Sequence, residues 1–205
     1  MTEATTTSAE PSARQARPPQ AISRLRVPPE AELPSGLREV FDGIRRKSGY
    51  VPNFVTALSA NPATIGRLLT FYGDLSNPAG SLLTDVEREL VSTVSSRATG
   101  CSYCVFFHRP LLAQALGDDV LADRIARNHE DVALAPREQA IADLAQKLAL
   151  SPHDVSTANF AHLASLGLSE AAILEVLEIA AFHAYANRLT IALNVLPDPQ
   201  LFERA

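Results

Sequence analysis

Apolar side chains recur at helical spacing along almost the whole chain from about residue 30 onward. Eight segments carry this period, and we predict helices at 35–47, 62–75, 84–98, 101–116, 118–128, 136–150, 155–166 and 170–195. Stretches rich in Gly, Pro, Ser and Asn separate them. Alternating runs of β-branched residues and Asn-Gly hairpin signals are absent from the sequence. The predicted fold is therefore all-α, a multi-helix bundle.

Local signals support several of these helix boundaries. Thr84 and Glu87 have the spacing of a capping box, in which each side chain satisfies the other's backbone N–H. Pro136 stands where a first helical residue is expected. Gly167 is suited to end one helix, and Ser169 is suited to cap the next. These signals fix where helices begin more sharply than the apolar period does.

The last predicted helix, 170–195, is apolar nearly all round. The apolar positions include Ile173, Leu174, Val176, Leu177, Ile179, Ala180, Phe182 and Tyr185. Such a helix must be buried, either at the centre of the bundle or in a subunit interface, and the second case predicts an oligomer. We expect Asn187 and Arg188 to hold this helix to its neighbours or to bridge subunits. His183 and Tyr185 are expected mainly to pack.

Length and composition suit one globular domain, which we place at 21–205. Residues 1–20 are rich in Thr, Ser, Ala and Pro, and we predict a disordered tail there. The net charge of −5 gives no reason to expect nucleic-acid binding. No apolar run is long enough for a membrane span, and the N-terminus lacks a signal-peptide core. These features predict a cytoplasmic protein.

The two cysteines of the chain stand in "CSYCVFFH", with a histidine four residues further on. Gly100 precedes them, so the simplest interpretation ends one helix near Ala98 and starts another at Cys101. Free N–H groups and the helix dipole then favour a thiolate in the first turn. Cys101, Cys104 and His108 fall on one stripe, where the imidazole reaches the thiols directly or through a water. This setting favours redox chemistry or nucleophilic attack.

Other uses of a CxxC motif fit less well. A structural zinc site needs four ligands, and the remaining histidines are scattered singly. Attached haem requires CxxCH, a thioredoxin fold requires a strand before the motif, and structural disulfides are rare in the cytoplasm. We therefore expect neither metal nor cofactor. The residues favour a dithiol redox centre on a helical scaffold, while a metal site remains the main alternative.

The sequence resembles the alkylhydroperoxidase D-like, peroxidase-related branch of the carboxymuconolactone decarboxylase superfamily. The signature of that branch is a glutamate, eleven intervening residues and then CxxCxxxH, here Glu89, Cys101, Cys104 and His108. The stretches "SGYVPNFVTALSANP" and "AFHAYANRLTIALNV" are also similar, and the resemblance covers roughly residues 25–200. In one continuous helix Glu89 would lie about 18 Å from Cys101. A chain reversal at Gly100 is needed to bring the two together.

The resemblance implies a catalytic set and a mechanism. Cys104 attacks a hydroperoxide, Cys101 closes a Cys101–Cys104 disulfide, and Glu89 and His108 relay the proton. The reductant would be a dithiol such as a lipoyl protein or a thioredoxin-like protein. The assembly would be a homo-oligomer, either a trimer or a hexamer built from dimers or trimers. Helix-terminus physics alone favours Cys101 as the more acidic thiol.

Two residues depart from the family pattern. Tyr103 occupies a position that is histidine in some members, so a relay through it would be altered. Pro110 is expected to kink or shorten the helix after His108. We expect Phe106 and Phe107 to belong to the core and the pocket wall. Tyr103, Phe107 and His183 are the weaker candidates for the substrate pocket.

Three functions follow for testing. The first is a CxxC-dependent peroxidase or disulfide reductase acting on alkyl hydroperoxides in an antioxidant role. The second is a carboxymuconolactone decarboxylase-like enzyme that uses the same fold without thiol chemistry. The third is a non-enzymatic redox sensor or metal-binding protein.

Overall fold

The computed structural model describes residues 20–202, and the predicted disordered tail lies almost wholly outside this range. Within it the chain forms nine α-helices and no strand, as the all-α prediction requires. The helices are α1 (Ser35–Ser48), α2 (Asn53–Ala57), α3 (Pro62–Leu75), α4 (Asp85–Ala98), α5 (Ser102–Leu116), α6 (Asp119–Arg127), α7 (Pro136–Leu150), α8 (Thr157–Ser165) and α9 (Glu170–Leu193). Single 3-10 turns lie at Glu30–Glu32, Leu58–Ala60, Pro78–Gly80, His129–Asp131, Pro152–Asp154 and Pro199–Phe202.

All eight predicted helices are present, with boundaries that differ by at most two residues at each end. The capping box at α4 is formed as predicted, with Thr84 N–H donating to Glu87 and Glu87 N–H donating to Thr84 Oγ1. Arg137 Nε also donates to the buried Glu87 carboxylate at 2.5 Å. The missed helix, α2, has five residues, which is too few to show a period.

The core is organised around α4, which packs against α5, α6, α7 and α9. The largest apolar cluster contains buried side chains from every helix from α4 through α9. A second cluster packs α1, α2 and α3 against the C-terminal half of α9. A third, smaller cluster holds both cysteines with Ala57, Tyr103 and Val195. The cysteine pair is thus enclosed between α2, the start of α5 and the segment after α9.

Helix α9 occupies the centre of the bundle on one face only. Ten of its side chains are buried, among them His183 and Asn187. Asn187 ties α9 to α4, because its amide donates to Thr99 Oγ1 at 2.9 Å and accepts from Ser96 Oγ at 3.3 Å. The opposite face is open to solvent in the single chain, so the bundle centre accounts for one face of α9, and burial of the other in a subunit interface stays a prediction. No helix among residues 20–202 meets the length and hydropathy of a membrane span.

Pro110 does not shorten its helix, so of the two predicted effects, a kink or a shortening, the second is absent. Helix α5 runs from Ser102 to Leu116 and contains Pro110 in its interior. The proline removes the N–H that would pair with the carbonyl of Phe106. Both residues lie on the exposed side of α5, where water can satisfy that carbonyl. The helix therefore tolerates the proline without ending.

Candidate active site

The two cysteines are paired at the start of α5. Cys101 is the N-cap of the helix and Cys104 lies in its first turn, as predicted from Gly100. Gly100 has a φ of 74°, a conformation that favours glycine, and it reverses the chain between α4 and α5. The pair forms a Cys101–Cys104 disulfide with the Cα atoms 5.3 Å apart, within the usual range.

Both cysteines are buried in this state. Cys101 is 1% exposed and Cys104 is 6% exposed. The backbone N–H of Cys104 donates to Cys101 Sγ at 3.4 Å, the capping interaction expected at a helix N-terminus. This contact favours negative charge on Cys101 once the disulfide is reduced, whereas Cys104 is the more exposed of the two.

The chain reversal brings Glu89 of α4 against His108 of α5. His108 Nδ1–H donates to Glu89 Oε2 at 2.9 Å. The imidazole is 5% exposed as a residue, and the glutamate side chain is 22% exposed. The hydrogen bond fixes the neutral tautomer of His108 and leaves Nε2 able to accept a proton. Among the hydrogen bonds of residues 20–202 none joins His108 to either cysteine.

His183 of α9 packs against the same imidazole. The two rings meet edge to face with centroids 4.5 Å apart. Burial, and secondarily electrostatic repulsion from the neighbouring His108, holds the pKa of His183 well below its usual value. His183 is thus a neutral imidazole beside the Glu89–His108 pair. Sequence reasoning placed it only weakly in the pocket.

A cavity of about 400 Å³ opens beside these histidines. Its polar lining includes Glu89, His108 and His183, together with Arg88, Ser76, Asp85, Ser92 and Gln114. The apolar wall comes from Tyr72, Leu75, Leu111, Ile179 and Phe182. Neither cysteine lines the cavity. Tyr103 and Phe107, expected in the pocket, also lie outside it, and Phe107 packs instead edge-on against His108.

Tyr103 takes part in a different network, which covers the cysteine pair. Its hydroxyl donates to Asp198 Oδ2 at 2.6 Å and accepts from the N–H of Phe54 at 3.2 Å. Asp198 is 2% exposed, and its second oxygen accepts from the N–H of Asn53 at 2.7 Å. The backbone between α9 and these contacts turns at Asn194, which has a φ of 50°. Residues 195–202, the C-terminal strap, are thereby fastened over the start of α5.

The strap network was not foreseen from sequence. Its members lie far apart in the chain, and a lone aspartate near the C-terminus carries no periodic or motif signal. Burial raises the pKa of Asp198, although the hydrogen bonds from Tyr103 and Asn53 oppose that effect. Tyr103 has a raised pKa, chiefly through burial and then through its bond to Asp198. It therefore stays protonated and serves as a hydrogen-bond donor rather than a proton relay.

Phe106 is not a core residue, in contrast to the prediction. It is 40% exposed and packs on Phe202 of the strap with ring centroids 4.9 Å apart. Among residues 20–202 there is no group of three or more His, Cys, Asp or Glu side chains placed to hold a metal ion. The described side chains at the site are a disulfide-linked cysteine pair and a hydrogen-bonded Glu–His pair.

The family model described as the carboxymuconolactone decarboxylase family matches residues 67–147, which include Glu89, both cysteines and His108. The AhpD-core, peroxidase-related protein of Ralstonia eutropha JMP134 is 29% identical and superposes with a TM-score of 0.83, covering 90% of this chain and 96% of its own. The family match and the structural likeness together support the AhpD-like branch of the carboxymuconolactone decarboxylase superfamily for this chain.

Two further solved structures are similar. A peroxidase-related protein of Silicibacter sp. TM1040 is 26% identical, with a TM-score of 0.84 over 91% of this chain and 97% of its own. The debrominase Bmp8 is 20% identical, with a TM-score of 0.71 over 88% of this chain and 94% of its own, a likeness of fold alone. No curated protein sequence matches the AhpD-like chain.

Proposed function

We propose that this peroxidase-related protein is a CxxC-dependent thiol peroxidase that reduces alkyl hydroperoxides through the Cys101–Cys104 disulfide. The observation that carries the proposal is the hydrogen bond between Glu89 and His108, one helical turn beyond Cys104 on α5. A thiol nucleophile, a base on the same helix and a carboxylate that orients the base together form the arrangement that activates cysteine. The family signature, Glu89 followed by Cys101, Cys104 and His108, supports the same thiol chemistry.

The reaction begins from the reduced dithiol. His108 Nε2 takes the thiol proton of Cys104, and the thiolate attacks one oxygen of the hydroperoxide. An S–O bond forms, the O–O bond breaks, and the departing alkoxide receives the proton from His108, so the products are a sulfenic acid and an alcohol. Glu89 stabilises the imidazolium while it exists. Cys101 then attacks the sulfenic sulfur, which forms the disulfide and releases water.

The cycle closes when an external dithiol reduces the disulfide. Two electrons and two protons pass from that dithiol, which becomes a disulfide itself, while both cysteines return to thiols. A lipoyl group or a thioredoxin-like protein supplies this chemistry. Such dithiols are kept reduced in the cytoplasm, which is where we propose that the protein acts in antioxidant defence.

Steady-state consumption of cumene hydroperoxide with dihydrolipoamide as reductant tests the proposal. We expect turnover in the wild type and its loss in Cys104→Ser, because the nucleophile is gone. Cys101→Ser should stop at the sulfenic acid, which a dimedone probe traps at Cys104. Wild-type protein that consumes no hydroperoxide under these conditions, while both thiols are present, overturns the proposal.

A second candidate is favoured by one observation: the cavity is lined by Glu89, His108 and His183 but by neither cysteine. A Glu–His pair beside a neutral imidazole can move protons on a bound substrate without a thiol. The fold neighbour named a debrominase indicates that other chemistry occurs on this scaffold. This second function would be established instead by a proton-transfer activity on a bound substrate that survives in a Cys101→Ser/Cys104→Ser double variant and disappears in His108→Gln.

A further inference from the structure

Most polar groups that line the cavity beside His108 are engaged with other protein groups. Arg88 pairs with Asp85, and Glu89 accepts the hydrogen bond of His108. The hydroxyl of Ser92 donates to the backbone carbonyl of Arg88 at 2.8 Å. These side chains therefore have little hydrogen-bonding capacity left for a ligand, apart from the base nitrogen of His108.

Two other polar groups of the lining have no partner in the part of the chain that the structure describes. The imidazole of His183 makes no hydrogen bond there, although the residue is only 3% exposed. The hydroxyl of Tyr72, a half-buried residue of α3, makes none either. Ser76 and Gln114 line the mouth of the cavity, where they are exposed to water. Buried polar groups are normally hydrogen-bonded, so an unpartnered group beside a cavity indicates a ligand.

Both unpartnered groups are neutral hydrogen-bond donors. Burial lowers the pKa of His183, so its imidazole carries one N–H and no charge. Burial, and then the negative charge of Glu89, raises the pKa of Tyr72, so the phenol keeps its proton. The effect of the Glu89 charge also means that the phenol lies close to the Glu89–His108 pair. The two donors thus converge on the same end of the cavity.

Phe182 packs against both donors. The Tyr72 ring stacks on Phe182 with centroids 5.6 Å apart and 27° between the ring planes. The His183 ring meets Phe182 edge to face with centroids 5.3 Å apart. Leu111 and Ile179 extend this apolar surface within the cavity of about 400 Å³. An apolar wall with a few placed polar groups is the usual form of a small-molecule site.

The charges around the cavity disfavour an anionic ligand. Arg88 and Asp85 form an ion pair, so their charges cancel. Glu89 then leaves one negative charge while His108 is neutral. A carboxylate ligand would be repelled by Glu89 and would compete with Asp85 for Arg88. The cavity therefore favours an uncharged ligand with an apolar group and an oxygen acceptor.

We propose that Tyr72 and His183 form a subsite for the carbon-bound oxygen of an uncharged hydroperoxide, whose aryl or branched alkyl group packs on Phe182. The inference rests on the proposed peroxidase function and assigns its substrate class. That class is small, uncharged aryl and branched-alkyl hydroperoxides, rather than hydrogen peroxide or the hydroperoxides of carboxylic acids.

The subsite acts when the O–O bond breaks. The Cys104 thiolate forms an S–O bond with the terminal oxygen, and the electron pair of the O–O bond moves to the carbon-bound oxygen. Tyr72 and His183 each donate a hydrogen bond to this developing alkoxide and keep their own protons. The proton from His108 completes the alcohol. Cys104 precedes His108 by one turn, about 6 Å along α5, so the terminal oxygen points past the imidazole while the alkyl group stays in the cavity.

Binding of the product alcohol tests the subsite without turnover. The probe is cumyl alcohol, the product from cumene hydroperoxide, titrated by NMR into the full-length protein with its disulfide formed. We expect Tyr72→Phe to weaken binding about fivefold, because the ring remains but one hydrogen bond is lost. His183→Leu removes the other donor and should weaken binding by a similar factor. Tyr185→Phe, which removes a hydroxyl outside the cavity, should bind as the wild type does.

A charged probe tests the predicted preference for uncharged ligands. Phenylacetate is a carboxylate of similar size to cumyl alcohol. We expect phenylacetate to bind the wild type at least about tenfold more weakly, because Glu89 repels its charge. Equal or tighter binding of phenylacetate would overturn the assigned ligand class.

Stopped-flow kinetics of the reduced protein tests the role of the subsite in the reaction. Tyr72→Phe should lower the second-order rate constant for cumene hydroperoxide about tenfold, because a donor to the developing alkoxide is lost. Hydrogen peroxide has no alkyl group to hold it against Phe182, so its rate constant should stay close to that of the wild type. Equal thermal midpoints of Tyr72→Phe and the wild type exclude unfolding as the cause.

The outcomes separate the subsite from the proposed function. Weaker alcohol binding in Tyr72→Phe, together with a slower reaction with cumene hydroperoxide alone, supports the subsite. Equal alcohol binding in the wild type and Tyr72→Phe overturns it, whatever the peroxidase activity. Binding that depends on Tyr72 in a protein that reduces no hydroperoxide supports the site for an uncharged ligand and overturns only the proposed function.

Discussion

Glu89 and His108 are nineteen residues apart in the chain, yet Glu89 Oε2 lies 2.9 Å from His108 Nδ1. The reversal at Gly100 makes this contact possible, because it turns α5 back along α4. In the proposed mechanism the carboxylate orients the imidazole and balances the positive charge that His108 acquires during proton transfer. We therefore propose the pair as the acid–base element of the site.

We expect Glu89→Gln to lower the rate constant of hydroperoxide reduction about a hundredfold, because the amide holds the ring but does not balance its charge. His108→Gln should lower this rate constant further, to that of a thiol with no base beside it. Stopped-flow measurement of the reduced protein with cumene hydroperoxide gives both values. Glu39→Gln, at an exposed glutamate of α1 away from the cavity, is the control. Equal rates in the wild type and Glu89→Gln would contradict the assigned role.

We expect the C-terminal strap to limit how fast a reagent in solution reaches the two cysteines. Tyr103→Phe keeps the ring but removes the hydroxyl that donates to Asp198, a bond worth about 1–2 kcal/mol. Opening of the strap should then become about tenfold more frequent. We expect alkylation of the reduced cysteines by a bulky maleimide to accelerate by that factor. The control is Tyr50→Phe, which removes a hydroxyl with no hydrogen bond among the described residues. Unchanged alkylation in Tyr103→Phe would show that the strap does not limit access.

The neutral state of His183 predicts a dependence of stability on pH. The unfolded chain binds a proton at His183 near pH 6.5, whereas the folded chain, with its lowered pKa, does not. The free energy of unfolding should therefore fall as the pH decreases below about 6.5, with a limiting slope of about 1.4 kcal/mol per pH unit from this group. Urea titrations at about pH 7.5, 6.5 and 5.5 measure the slope.

His183→Gln is the variant that isolates this contribution. Its slope below about pH 6.5 should be smaller by roughly one proton, because glutamine does not titrate. His153→Gln, at an exposed histidine, should retain the wild-type slope. Identical slopes in the wild type and His183→Gln would mean that the folded protein binds a proton there.

Replacing Pro110, the proline in the interior of α5, is predicted to change the stability of the protein. Pro110→Ala restores the N–H that can pair with the carbonyl of Phe106 and suits the interior of α5. We expect the free energy of unfolding to rise by about 1 kcal/mol, less than the full cost of a helical proline because water already reaches this side. Thermal unfolding checks the direction. A lower midpoint in Pro110→Ala would show that α5 is fitted to the proline.

Local signals in the sequence predicted most of the helices of the fold. The helix boundaries followed from capping residues such as Thr84 and from glycines such as Gly100, whose effects act within one turn. The pairing of Glu89 with His108 came from a family resemblance, since spacing alone required only a chain reversal. The Tyr103–Asp198 bond joins residues 95 positions apart and left no trace in any local pattern. For α9 the sequence left two alternatives, because an apolar sequence does not distinguish a bundle centre from a contact between chains.

The central claim is that hydroperoxide drives Cys101 and Cys104 into one intramolecular disulfide. Intact mass after thiol alkylation tests it most directly, with reduced protein measured before and after about one equivalent of cumene hydroperoxide. The account predicts that both alkylation sites disappear together, without a dimer on a non-reducing gel. Two thiols that remain fully alkylated after peroxide would contradict it.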